Sequence, residues 1–265
     1  MSNAVLTPEG GDLLEQIARA RALLAFDYDG TLAPYVDDRH AAEMRAETRT
    51  LLRTAAILYP CAVVSGRART DVAARLEGVP LIAVIGNHGA EAGFGPLDSD
   101  LREKVAKWEA RLVPALGDIE GVEVENKGFS LALHYRHARS WSEARRLIGR
   151  FVSRLEHALV FEGHAVVNVL PEDAPTKANA IRELCARFAL NTVVYVGDDR
   201  SDEEAFRCEA VSVAIRIGLD PFSSARYAVT EQAEVDRLLR ELVLSRARID
   251  GRDISADGLL RALDD

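Results

Sequence analysis

The chain has 265 residues, 48% hydrophobic and 28% charged, enough for one large or two modest domains with a buried core. Its net charge of -9 disfavours nucleic acid and acidic membranes as partners, and no apolar run reaches membrane-spanning length. Cys61, Cys185 and Cys208 are odd in number and widely spaced, which excludes a disulfide or metal-ligand framework and predicts reduced thiols in a cytoplasmic protein.

In chain order, a short amphipathic helix over 12–21 leads into an apolar strand at 22–26. A loop with Ala33-Pro34 and Asp37-Asp38 precedes a helix over 42–58. The run 61–64 is a second strand, 70–76 a helix, and 80–85 a third strand. Gly93-Phe94-Gly95-Pro96 reads as a hinge, after which the pattern changes. A helix over 98–116 precedes strands at 122–126 and 129–136, joined by a tight turn at Lys127-Gly128. A helix over 140–158 then precedes strands at 159–162 and 164–170, with Gly163 turning between them. The first style resumes with a helix at 176–188, strands at 192–196, 211–215 and 225–229, and a helix at 231–245. Nothing functional rests on the first four residues, and a charged tail ends the chain. The fold class predicted is α/β: a parallel, Rossmann-like core over 1–96 and 172–265, interrupted by an α+β cap at 97–171.

Four core strands stop at polar clusters, and open α/β sheets bind ligands at the carboxyl ends of their strands. The first cluster is Asp27-Tyr28-Asp29-Gly30-Thr31. In extended chain, Asp27 and Asp29 point the same way, and two such carboxylates repel unless a cation or proton lies between them. Mg²⁺, a hard oxygen-loving ion, suits them. A lone D-x-D more often caps a helix or makes an Asx turn; the full string behind a strand is more specific. Ser65-Gly66-Arg67 follows the second strand, and Ser65 with the Gly66 N–H can hold a phosphate oxygen or simply turn the chain. Lys177 opens a helix, where it can meet a phosphate and Asp27 or be solvated. Asp198, Asp199 and Asp202 add carboxylates at another strand end; Asp198 is expected on the metal, with Asp199 and Asp202 acting through water or as orienters.

In order, D-x-D-G-T, S-G-R, K and G-D-D-x-S-D resemble the four motifs of the haloacid dehalogenase (HAD) superfamily. The closer likeness is to the trehalose-6-phosphate phosphatase family, carried by D-Y-D-G-T-L-A-P at 27–34, G-N-H-G-A-E at 86–91, E-N-K-G-F-S-L-A-L-H-Y-R at 125–136 and V-G-D-D-R-S-D-E-E-A-F at 196–206. The resemblance implies a HAD core with a C2B-type cap acting as a lid. It also implies a Mg²⁺-dependent phosphatase whose substrate is a small sugar phosphate, most closely trehalose 6-phosphate. Asp27 is then the nucleophile and Asp29 the acid and base. Thr31, Ser65, Gly66 and Lys177 hold the phosphoryl group, and Asp27, Asp29, Asp198, Asp199 and Asp202 surround the metal. Arg67, His88, Glu91, Glu125, Lys127, Arg136 and Asn168 contact the sugar.

Glu125 and Lys127 can bridge vicinal hydroxyls or form a cross-strand ion pair, and Arg67, His88 and Glu91 can equally fix loops. Asn168 stands where the family has a glutamate; an amide keeps an acceptor, adds donors and drops the charge. The alternatives are a phosphatase for glucosylglycerol, sucrose or mannosylglycerate phosphate, a sugar phosphomutase, or a non-catalytic sensor. A glycosidase is disfavoured because Asp27 and Asp29 point the same way instead of flanking a bond.

Overall fold

The short apolar runs form parallel strands, each too brief to bury itself and completed by its neighbours. The structure, a computed structural model, describes residues 3–20, 22–36, 41–92 and 98–252. The expected hinge at 93–96, the Asp37-Asp38 part of the loop and the tail beyond 252 lie outside the described residues.

The first part of the chain forms β1 (Asn3–Ala4), α1 (Pro8–Ala20), β2 (Leu23–Phe26), α2 (Ala46–Leu58), β3 (Cys61–Val64), α3 (Arg69–Arg75) and β4 (Ala83–Ile85). The middle forms α4 (Ser99–Leu116), β5 (Glu123–Asn126), β6 (Leu131–His134), α5 (Trp141–Val152), β7 (Ala158–Gly163) and β8 (Val166–Pro171). The last part forms α6 (Lys177–Phe188), β9 (Val193–Gly197), α7 (Glu203–Phe206), β10 (Val213–Ile217), β11 (Tyr227–Val229) and α8 (Val235–Asp250).

Among the described residues, seven strands pair in the order β1-β11-β10-β9-β2-β3-β4, all parallel. A parallel sheet covered on both faces needs strands apolar on both sides, and alternation along β2 divides its residues between two cores. Leu24 and Phe26 pack with α1, α2 and α8, while Leu23 and Ala25 pack with α6 and α7. β2 therefore lies centrally, and its carboxyl end faces those of β3, β4 and β9.

The cap is a four-stranded antiparallel sheet in the order β5-β6-β8-β7. Leu131, Leu133, Val167 and Val169 pack against Trp108 and Leu112 of α4 and Ile148 of α5. By period 2 the other face carries Glu123, Glu125, His134 and Asn168, and these line the cavity over the core.

Several boundaries differ from expectation. Asn3 and Ala4 extend the sheet beside Tyr227 and Ala228, which the chain's first residues gave no sign of. α5 stops at Val152, six residues early, because the chain must turn to pair Ala158 with Pro171, and His157 adopts a left-handed φ of 56° there. Gly163 is the last residue of β7, paired with Val166; the turn is made at His164-Ala165. The Lys127-Gly128 turn extends to Ser130, whose carbonyl accepts from the Lys127 N–H.

Candidate functional site

Asp27 follows directly on β2, where its N–H donates to the Val196 carbonyl of β9. This register brings the Asp198 segment alongside it. Asp27, Asp198 and Asp202 offer carboxylate oxygens within 4.8 Å of one another. Gly30, at φ 79°, makes the close approach possible, since a Cβ there would lie 2.2 Å from Asp198 Oδ2.

Lys177, the first residue of α6, is buried beside the trio. Its Nζ donates to Asp202 Oδ1 at 2.7 Å and lies 3.1 Å from Asp27 Oδ1. Asp27 Oδ1 is buried and, among the described residues, has no hydrogen-bond partner. Asp202 is fully engaged: Oδ1 also accepts from the Tyr195 hydroxyl, and Oδ2 accepts from the Asp198 and Asp199 N–H groups. Asp198 accepts from Thr31 Oγ1 at 3.0 Å and from the Tyr35 hydroxyl at 2.8 Å.

Burial pushes the Asp27 carboxyl well above the usual range; Lys177 opposes this, while Asp202, Asp198 and Asp29 add to it. Burial and then Asp202 push Asp198 up to about 8, against the pull of its hydrogen bonds. For Lys177, burial disfavours the ammonium, but Asp202 and Asp27 outweigh it and hold the pKa above the ordinary lysine value. The Lys177 ammonium thus lies against two of the three clustered carboxylates. Asp27 Oδ1, buried and lacking a hydrogen bond, is the atom a hard divalent cation would satisfy. The residues present therefore fit such an ion.

Asp29 points elsewhere. Arg67 grips it with two parallel bonds of 2.7 Å, Nε to Oδ2 and Nη2 to Oδ1, and donates a third to Asp71. Asp199 is also outside the trio; its Oδ1 accepts from the Arg200 N–H at 2.6 Å. Thr31, expected at the phosphate, directs its hydroxyl to Asp198. Ser65 is buried at the end of β3, where its Oγ accepts from the Arg67 N–H.

Above these groups lies a cavity of about 620 Å³, lined by Asp27, Asp29, Gly66, Arg67, His88 and Lys177 from the core and by Glu125, Lys127, Arg136 and Asn168 from the cap. Lys127 Nζ crosses to donate to the Gly66 carbonyl at 2.9 Å. Glu125 meets His134 Nε2 at 2.8 Å across β5 and β6. Arg136 donates to the Val36 carbonyl of the core. Asn168 is buried in β8, opposite Ala132 and Phe161.

His88 sits at a left-handed φ of 58°, with its ring edge-on to Phe161 of the cap at 4.9 Å. Both ring nitrogens are buried and, among the described residues, have no hydrogen-bond partners. Burial, then Lys177 and Lys127, push its pKa well below the ordinary histidine value, so the ring is neutral near pH 7. Glu91 is the exception among the expected sugar contacts. Its Oε2 accepts from the Arg69 N–H and from Asn87 Nδ2 within its own loop, and it does not line the cavity.

Sequence reading missed Tyr35, His134, His164, Asp71 and Asn87. Asp71 carried a local signal in standing four residues beyond Arg67, and His134 in the alternation of β6. The others take their places through contacts distant in sequence.

The family model described as trehalose-phosphatase matches residues 25–225. Probable trehalose-phosphate phosphatase D of Arabidopsis thaliana is 29% identical over 267 residues, covering 89% of this chain and 72% of that protein. Trehalose-phosphate phosphatase of Mycobacterium avium (strain 104) is 35% identical over 199 residues, covering 68% of this chain and 49% of that protein. The solved structure of the C. albicans trehalose-6-phosphate phosphatase C-terminal domain superposes with a TM-score of 0.72 at 20% identity, covering 93% of this chain and 98% of that one. This chain belongs to the trehalose-phosphatase family, and so to the phosphoric monoester hydrolases.

Proposed function

We propose that the protein hydrolyses trehalose 6-phosphate to trehalose and phosphate in two phosphoryl-transfer steps, with residues 1–96 and 172–265 as the catalytic core and 97–171 as its lid. The observation that carries this reading is Asp27, buried at the floor of the cavity with Lys177 beside it and polar cap residues above it.

In the first step an Asp27 carboxylate oxygen attacks phosphorus, and the bond from phosphorus to the sugar oxygen breaks. The departing oxygen takes its proton from Asp29, which turns from Arg67 to deliver it. Water then attacks the aspartyl-phosphate and gives a proton to Asp29. The acyl-phosphate P–O bond breaks, releasing phosphate and restoring the Asp27 carboxylate. Between the steps Arg67 holds the Asp29 carboxylate through two parallel bonds. Lys177, Ser65 and the Gly66 N–H hold the transferring oxygens. Asp27 and Asp198 would hold Mg²⁺, with Asp202 fixing the loop beneath them, and the ion supplies positive charge to the transferring phosphoryl group.

On the cap side, Glu125, Lys127, Arg136 and Asn168 face the cavity as acceptors and donors suited to a disaccharide's hydroxyls, and neutral His88 adds one of each. The volume falls in the range that encloses a small ligand. Asn168 favours a second reading, a related glycosyl phosphate whose hydroxyls suit an amide. A charged protein with this site is read as cytoplasmic and without nucleic acid or membrane partners; among the described residues no helix is long and apolar enough to cross a membrane.

Phosphate release from trehalose 6-phosphate, glucose 6-phosphate, sucrose 6-phosphate and glucosylglycerol phosphate tests the reading, with Mg²⁺ and with a chelator. Strong preference for trehalose 6-phosphate, lost on chelation, is expected. Preference for another member would overturn the substrate, and undiminished activity under chelation would overturn the metal.

A further inference from the structure

Asn87 lies outside the catalytic groups, yet its side chain and backbone join the core loop to the cap. It is fully buried, at a left-handed φ of 47°. Asparagine tolerates this conformation better than most side chains. Its Nδ2 donates to Glu91 Oε2 at 2.6 Å, within its own loop, and to the Lys127 carbonyl of the cap at 2.9 Å. Its Oδ1 accepts from the cap's Ser130 hydroxyl at 2.6 Å. The side-chain amide thus grips both ends of the turn between β5 and β6.

The backbone of the same loop is tied to the core's phosphate-side motifs. The Asn87 N–H donates to the Arg67 carbonyl at 2.7 Å, and the His88 N–H to the Ser65 carbonyl at 2.9 Å. Two residues on, Gly89 fits so closely against the residue preceding Lys177 that a Cβ would meet the Thr176 carbonyl oxygen at 2.2 Å. The cap turn is equally fixed, with Phe129 and Ser130 buried and Phe129 packed beside Ala90 and Ala174, next to both crossings between core and cap. Lys127 leaves this turn and places its ammonium on the Gly66 carbonyl.

We infer that Asn87 is a positioning residue that sets the cap's Lys127 turn in register with the phosphate loop, so that sugar recognition and phosphate binding share one frame. The inference rests on the phosphatase reading above but not on the identity of the sugar. Asn87 touches neither reacting atoms nor the cavity. It acts through Lys127, and displacing that turn misplaces the sugar contact relative to the phosphate. A small substrate that makes no use of the cap does not need the register.

Asn87→Gly is the test variant, because it removes the amide while keeping the left-handed backbone. Its kinetics are compared with wild type on para-nitrophenyl phosphate and on whichever sugar phosphate the wild-type enzyme hydrolyses. A misplaced contact of this kind should raise KM for the sugar phosphate by about 10-fold to 100-fold, and change para-nitrophenyl phosphate hydrolysis by less than about threefold. Hydrogen exchange in the 127–130 turn should quicken in the variant. Equal losses on both substrates, or an unchanged KM for the sugar phosphate, would overturn the inference. Ser130→Ala removes only the cap's bond to Asn87 Oδ1 and should show the same split at smaller size. Should Asn87→Gly not fold, that variant decides the matter by the same criterion. A wild-type enzyme that ignores trehalose 6-phosphate would overturn the substrate alone and leave this comparison intact.

Discussion

Replacing Lys177 by methionine should destabilise the metal-free protein strongly, and by an amount that grows with pH. Lys177, Asp27 and Asp202 are almost wholly buried, with side-chain exposures of 1%, 7% and 0%. Methionine fills much of the same volume but leaves two carboxylates without their cation. Removing one partner of a buried ion pair costs about 3–5 kcal/mol, which for a domain of this size lowers Tm by roughly 10 °C. The sign with pH follows from the carboxylates. The folded pKa values of Asp27 and Asp198 are raised, so the folded state binds more protons than the unfolded one between about pH 4 and the folded values. Stability is therefore lost as pH rises through that window, whose upper end for Asp198 is about 8. Wild-type Lys177 is protonated in both states throughout, because its folded pKa is raised. Without it, Asp27 rises further and the window deepens. Thermal unfolding with a chelator present, at about pH 5 and about pH 8, should show a small deficit at the lower pH and the full deficit at the higher. An equal deficit at both would refute the view that Lys177 compensates these carboxylates.

Asp27→Asn should abolish phosphate release, and Asp29→Asn should slow it by ~10²–10⁴-fold, the loss expected for a general acid and base; full activity in either would refute the two-step route. Lys127→Ala should raise KM for the sugar phosphate far more than for para-nitrophenyl phosphate, because its ammonium lies at the cap side of the cavity against Gly66. Equal effects in steady-state assays of both substrates would show that the sugar is read elsewhere.

Some cap contacts were legible in sequence only as a strand pattern. Glu123, Glu125 and His134 face the cavity because antiparallel pairing puts Glu123 beside His134, while the alternate residues Leu131 and Leu133 must cover α4 and α5. Which face looks toward the core is decided by burial of the other.

What the sequence by itself determined is the local part. Apolar runs of strand length, each ending in a polar cluster, dictated a parallel sheet with its chemistry at one edge, since alternation and backbone turning act over a few residues. Asp27, Lys177 and Asp198 come together because their strands and helix do. The tertiary structure alone decided what each side chain faces. Asp29 and Asp27 share a strand end, yet Arg67, 38 residues beyond Asp29, draws that carboxylate away. Thr31 turns to Asp198 across 167 residues, Glu91 is spent on the Arg69 N–H, 22 residues back, and on Asn87, and Asn87 reaches 43 residues to Ser130. A buried polar group must find a partner among whatever the fold brings near it, and no window of sequence contains that choice.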